Sequence, residues 1–183
     1  HLRNLKNLIP NVEILAYRTS KKVPLLNDEN KAFYEINVVD YYKIKEYSSI
    51  KEALNQKPKM VFITNPSRFH SECAIEALKK GSFVFIEKPL ATDIESAEKI
   101  LDLEKHIGKK LCMVGYQYRY NPVIIKLKEL LQKEIIGKVI NGQIANGEYL
   151  PYWHPYEDYS KSYAALDKLG GGALLTQIHD FDY

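Results

Sequence analysis

Four short apolar runs decide what this chain can fold into. "VEILAY" (12–17), "KMVFIT" (59–64), "SFVFIE" (82–87) and "KLCMVGY" (110–116) are strand-length and apolar nearly throughout, with no alternation. Strands of that kind belong to sheets covered on both faces. Helical patterns lie between them. Ser49 stands at a capping position before Ile50, Ala53 and Leu54. Residues 70–80 put Ala74, Ile75 and Leu78 on one face and stop at Gly81. Thr92 and Glu95 have capping-box spacing ahead of Ile94, Ala97, Ile100, Leu101 and Leu103, and Gly108 closes that helix. Strands alternating with amphipathic helices give right-handed parallel crossovers, so the first two-thirds is predicted to be a doubly wound α/β sheet.

The pattern changes near residue 120. Asn121-Pro122 starts a helix predicted to run to Gly137, and 137–150 ("GKVINGQIANGEYL") reads as a strand of a second, antiparallel sheet. Two domains are therefore expected, 1–119 and 120–183. "HLRNLKNLIP" spaces Leu2, Leu5 and Leu8 helically but has no N-cap or preceding strand, and the last residues stop in mid-pattern. A piece of a longer chain is expected.

Doubly wound sheets bind ligands beyond the carboxyl ends of their strands. Arg18, Thr64-Asn65, Glu87-Lys88 and Tyr116-Gln117 all fall there. Glu87-Lys88-Pro89 runs directly out of a core strand. A partly desolvated lysine there can hold a substrate hydroxyl and move its proton, with the glutamate positioning it, and the following proline bond can be cis. The alternative is a surface turn with a solvated ion pair. In "AYRTSKK" (16–22) no acid follows the strand to take ribose hydroxyls. Arg18, Thr19 and Ser20, with Lys21 and Lys22 behind, favour a 2′-phosphate, or else form a basic solvent loop. Thr64, Asn65 and Pro66 make a tight strand exit. His70 begins the next helix, where it serves either a ligand or the structure.

Near the end, "GGGALLTQIHDFDY" frees the backbone for close approach and then reads as helix, with Thr176, His179 and Tyr183 along one face. His179 is a candidate general base. Residues 148–163 hold five tyrosines, the only tryptophan and His154. Such aromatic faces stack on sugar rings, on bases or on another subunit. A metal at His154, Glu157 and Asp158 lacks ligand spacing, and none is expected.

A formal charge of +3 with dispersed lysines does not imply a nucleic-acid surface, and no nucleic-acid partner is expected. No apolar run reaches the roughly 20 residues of a membrane span, and no signal peptide is visible. Cys73 and Cys112, in separate apolar segments, read as reduced core residues of a cytoplasmic protein.

Three stretches in order, residues 63–101, "GYQYRYNP" (115–122) and "GGGALLTQIHDFDY" (170–183), resemble the glucose–fructose oxidoreductase/inositol dehydrogenase (Gfo/Idh/MocA) family of nicotinamide-dependent sugar oxidoreductases. The resemblance implies a Rossmann domain followed by an α+β domain with an open, mostly antiparallel sheet. It implies NADP or NAD as cofactor, with NADP slightly favoured by Arg18, and a small-molecule sugar as substrate. A homo-oligomer, dimer or tetramer, is implied when full length. Lys88 matches the catalytic lysine and His179 the acid–base histidine. Glu87, Thr64, Asn65, Pro66, His70 and Gln117 match cofactor-crevice positions, and Arg119 matches a residue at the substrate edge. Trp153, His154, Tyr163 and Thr176 join it as substrate candidates. Two departures stand out. The family's first strand and G-x-G-x-x-G turn are not in this sequence, and they are expected just upstream. Thr176 stands where many relatives carry an aspartate, which puts a carboxylate proton relay in doubt. The aromatic segment is similar to a bacterial subgroup handling nonulosonic acids and other surface sugars. An amino sugar or sugar nucleotide is thus the first substrate expectation and a free polyol the second; a non-catalytic sensor or partner subunit is the alternative.

Overall fold

The computed structural model describes residues 1–20, 23–29 and 31–182. The chain divides into two compact units, His1–Lys59 and Met60–Tyr183.

The first unit opens with α1 (Leu2–Leu8), which has no side-chain cap, as its sequence predicts. β1 (Ile14–Tyr17) follows, then a two-stranded antiparallel ribbon of β2 (Leu25–Leu26) and β3 (Ala32–Phe33). α2 (Val38–Tyr42) starts where the Asn37 side chain accepts from Val39 N, and it ends at Lys43 in the left-handed region. β4 (Ile44–Tyr47) pairs parallel with β1, Ile14 opposite Ile44. Ser49 caps α3 (Ile50–Asn55) as expected, accepting from Glu52 N. Ile14, Val38, Tyr42 and Ile44 form the core, with Leu2, Leu5 and Leu25 packed around it. β4 was not foreseen, because Lys45 and Glu46 interrupt the apolar run and both lie at the surface.

The second unit is built on β5 (Met60–Ile63), β6 (Phe83–Ile86) and β7 (Cys112–Val114), all parallel and in chain order. α4 (His70–Lys79) and α5 (Ile94–Ile107) make the crossovers; α4 packs on β5, on β6 and against α5. Leu78, Val84, Ile86 and Ile100 are buried almost completely. At about 1.5–3 kcal/mol each, these side chains dominate the stability of the unit. Gly108 takes a left-handed turn that lets its N–H reach the carbonyls of Glu104 and Lys105.

Several expectations change. α5 is capped by Asp93, whose carboxylate accepts from Ser96 N at 2.8 Å, and not by Thr92, one residue earlier. The strands are not covered on both faces: Val84 and Ile86 are buried, but Phe83 is 57% exposed. α6 (Pro122–Gln132), capped by Asn121, stops five residues short of Gly137, because the chain turns at Lys133 and Glu134 takes a positive φ. Among the described residues 137–149 no strand forms; the segment has no regular structure and is exposed. A strand exists only where another offers its backbone groups, and none here does. α7 (Leu150–Trp153) and several 3₁₀ turns follow. α8 (Ala173–Thr176) lasts one turn and gives way at Gln177 to a 3₁₀ turn over Ile178–Phe181, so the helix expected over 173–183 is broken. Tyr183 lies outside the described residues.

Candidate active site in the second unit

Each strand of the second unit delivers polar groups at its carboxyl end. β5 ends in exposed Thr64 and Asn65, β6 in half-buried Glu87 and Lys88, β7 in Tyr116 and Gln117. The Lys88–Pro89 peptide is cis.

Lys88 crosses to α8: its ammonium donates to the carbonyl of Thr176, 88 residues away. The Thr176 hydroxyl turns back on its own helix, donating to Gly172 O at 2.7 Å. What holds Lys88 is therefore a backbone oxygen and not the side chain at 176. Burial pulls the Lys88 ammonium below its ordinary range, against the opposing pull of Glu87 and Glu148.

His179 belongs to the same cluster. Its ring stacks on Tyr118 with centroids 4.7 Å apart and meets the edge of Tyr116 at 6.0 Å. Burial, and next the Lys88 ammonium, hold the imidazole below its usual range; Glu87, Asp182 and Asp180 oppose them. Its Nδ1 is buried without a hydrogen-bond partner. Lys88 therefore bonds the backbone three residues before His179, and its charge bears on the imidazole.

Three supporting pairs were not read from the sequence. Arg119 makes a two-pronged ion pair with Asp182, at 2.7 and 2.6 Å, and its guanidinium lies 5.5 Å from the Tyr116 ring centre. This clasp joins the loop after β7 to the turn bearing His179. Gln177 donates to Glu148 at 3.0 Å, and Asn146 to Asp180 at 2.9 Å. Only position in space reveals such partners, since no sequence spacing of 29 to 63 residues marks them.

The other candidates separate. His70 is 1% exposed, so it lies behind the crevice wall, its ring nitrogens on Pro89 O and Asn65 O. Burial, and next the charges of Glu87 and Glu157, push the Tyr163 phenol up. Trp153, His154 and Tyr156 form their own stack, and His154 Nδ1 bonds Glu157 at 2.6 Å. Asp158 pairs with Lys161 instead, and among the described residues no three His, Cys, Asp or Glu side chains group as metal ligands. In the first unit, Arg18 at the end of β1 is held by Glu46 at 2.9 Å, and Thr19 and Ser20 are exposed. Lys21 and Lys22 lie outside the described residues. Both cysteines are free and half-buried; burial pushes the Cys112 thiol up to about 11. No described helix is long and apolar enough to cross a membrane.

Exposed hydroxyl and amide groups at Thr64 and Asn65 and the half-buried Lys88 stand at the carboxyl ends of adjacent parallel strands, where doubly wound sheets bind their ligands. A G-x-G-x-x-G turn for the pyrophosphate does not occur in these 183 residues.

Comparison with known proteins agrees. Residues 12–116 match the model of the GFO_IDH_MocA oxidoreductase family, which has an NAD-binding Rossmann fold. Inositol 2-dehydrogenase of Salmonella typhimurium is 28% identical over 134 residues, 72% of this chain and 37% of that protein. Inositol 2-dehydrogenase/D-chiro-inositol 3-dehydrogenase of Lacticaseibacillus casei is 32% identical over 133 residues, 72% of this chain and 36% of its own length. Among solved structures, myo-inositol dehydrogenase of Lactobacillus casei with NAD(H) and myo-inositol superposes with a TM-score of 0.59 and 31% identity, covering 75% of this chain and 38% of that one. The chain belongs to the Gfo/Idh/MocA family of oxidoreductases. It spans little more than a third of the length of these relatives.

Proposed function

We propose that the protein containing this chain is an NAD(P)-dependent oxidoreductase that moves a hydride between its nicotinamide and a secondary alcohol or ketone on a sugar-like ring. The observation that carries this reading is the bond from Lys88, at the carboxyl end of a parallel sheet, to the Thr176 carbonyl three residues before His179. In the second unit, Thr64, Asn65, Pro66, Glu87 and Gln117 are the residues that would hold the nicotinamide half. In the first unit, Arg18 leads Thr19 and Ser20 after β1, and a basic lead residue favours NADP. The cofactor supplies the hydride acceptor or donor. Lys88 bonds the reacting oxygen and stabilises the charge that develops there. Its lowered proton affinity lets it give up a proton near neutrality more readily than an exposed lysine. His179, kept neutral, exchanges that proton with solvent. Glu87 orients Lys88.

The substrate is a polyhydroxylated ring. The relatives named above are inositol dehydrogenases, which supports a free polyol. The carboxylates Glu87, Glu148 and Asp180 bearing on the pair favour an uncharged or amino-substituted ring, so an amino sugar or its nucleotide derivative remains the finer candidate. A dimer or tetramer in the cytoplasm completes the proposal.

Full-length protein and Lys88→Met, compared by nicotinamide absorbance over a panel of polyols and sugar nucleotides, test it. A loss of roughly 10²–10⁴-fold is expected. Unchanged turnover in a folded variant removes Lys88 from the chemistry. One observation favours a second reading, a non-catalytic sensor: Thr176 offers Lys88 no carboxylate. Cofactor binding with no turnover on any ring would establish that reading.

A further inference from the structure

His70 is the first residue of α4 and is 1% exposed. Its Nδ1 lies 2.7 Å from Pro89 O, and its Nε2 lies 2.9 Å from Asn65 O. Both partners are backbone carbonyls, which only accept. A neutral imidazole has one N–H, so one of these contacts would set two lone pairs against each other inside the protein. Only an imidazolium has a donor for each oxygen. The two carbonyls belong to the exits of β5 and β6, the two segments that bear Thr64, Asn65, Pro66, Glu87 and Lys88. Asn65 is tied to the same helix again, its Nδ2 donating to Cys73 Sγ at 3.4 Å.

We propose that His70 is doubly protonated in the folded protein and staples the exits of β5 and β6 together, making it a positioning residue for Lys88. A buried cation is costly when bare, but bonds from a charged donor are about twice as strong as neutral ones and both ring protons are used. Glu72 in the first turn of α4 favours the charge, while the helix N-terminus and neighbouring Arg68 oppose it. From the strand exits Glu87 favours it and Lys88 opposes it, and Cys73 on α4 is held as a neutral thiol by burial. The two carbonyl dipoles, aimed at opposite ring nitrogens, decide the balance.

The link to turnover rests on the dehydrogenase reading; the protonation state and the staple do not. Full-length protein labelled with ¹⁵N-histidine, with His70→Gln to assign the signal, reads the ring directly. At pH 7 both His70 nitrogens are expected in the N–H range, each bearing a proton protected from exchange. One nitrogen in the unprotonated range overturns the proposal. In His70→Gln, amide exchange over 64–66 and 87–90 is expected to rise roughly tenfold or more, the loss of one charged hydrogen bond. Unchanged exchange there overturns the staple. If the protein turns over, kcat is expected to fall roughly 10–100-fold with little change in sugar KM, as a small displacement of Lys88 implies. An unaltered kcat would show that His70 does not position the lysine.

Discussion

Gly171 offers the sharpest test of how the turn before α8 supports the site. It is buried against the 3₁₀ turn at Tyr163–Ala165, and a Cβ added there would stand 2.2 Å from Tyr163 O and 2.6 Å from Ala164 O. Ordinary contact begins near 3.5 Å, so Gly171→Ala forces a retreat of about 1 Å. The obstructing atoms are backbone and have no rotamer to yield. Two hydrogen bonds resist the movement, Gly171 N to Leu166 O at 3.1 Å and Gly172 N to Ala164 O at 2.9 Å. Overpacking of this kind costs about 1–3 kcal/mol. The displaced element carries both the Thr176 carbonyl that receives Lys88 and the ring of His179. A misplacement of about 1 Å costs on the order of 10²-fold in rate. Urea unfolding and nicotinamide absorbance on the full-length protein measure the two effects. Gly142→Ala, where nothing lies within 4 Å, is the control and should change neither. If Gly171→Ala unfolds at the wild-type midpoint and turns over at the wild-type rate, the turn does not set the geometry of the site.

Three further outcomes follow from the structure. His179 is held below its ordinary value of 6.5, so as pH falls the unfolded chain takes that proton before the folded one. Stability should therefore decline as pH drops through and below the mid-6 range. In Lys88→Met, with one depressing charge gone, the His179 ring should titrate at higher pH by proton NMR; an unmoved titration would separate the two groups. Leu78, 1% exposed in the core of the second unit, should cost about 2–5 kcal/mol when cut to alanine, as read by urea unfolding. A smaller loss would mean that α4 is not anchored there.

The strands of the second unit were legible because an apolar run of four or five residues has few other uses, and their order follows from right-handed crossovers. What escaped was whatever depends on a partner distant in sequence. β4 hides behind Lys45 and Glu46 because only two of its four residues face inward. Residues 137–149 have the composition of a strand, but pairing is not a property of composition. The α5 cap moved one residue because Thr92 and Asp93 both carry a suitable oxygen and local spacing does not choose between them. In the site, the strand-end rule brought Thr64, Asn65, Glu87 and Lys88 to one edge without any relative, whereas His179 stood out only as a candidate base after the glycine run, and nothing local linked it to Lys88. Tyr118 and Asp182 carried no local signal at all, since their roles exist only once His179 and Arg119 have been brought to them.

A lysine moored to a peptide oxygen is moored to something no codon change deletes. Position 176 can pass from acid to alcohol, or to other small side chains, and the mooring at residue 88 survives each replacement. The course of the backbone at 176, and not the chemistry of its side chain, sets where the amine of residue 88 rests.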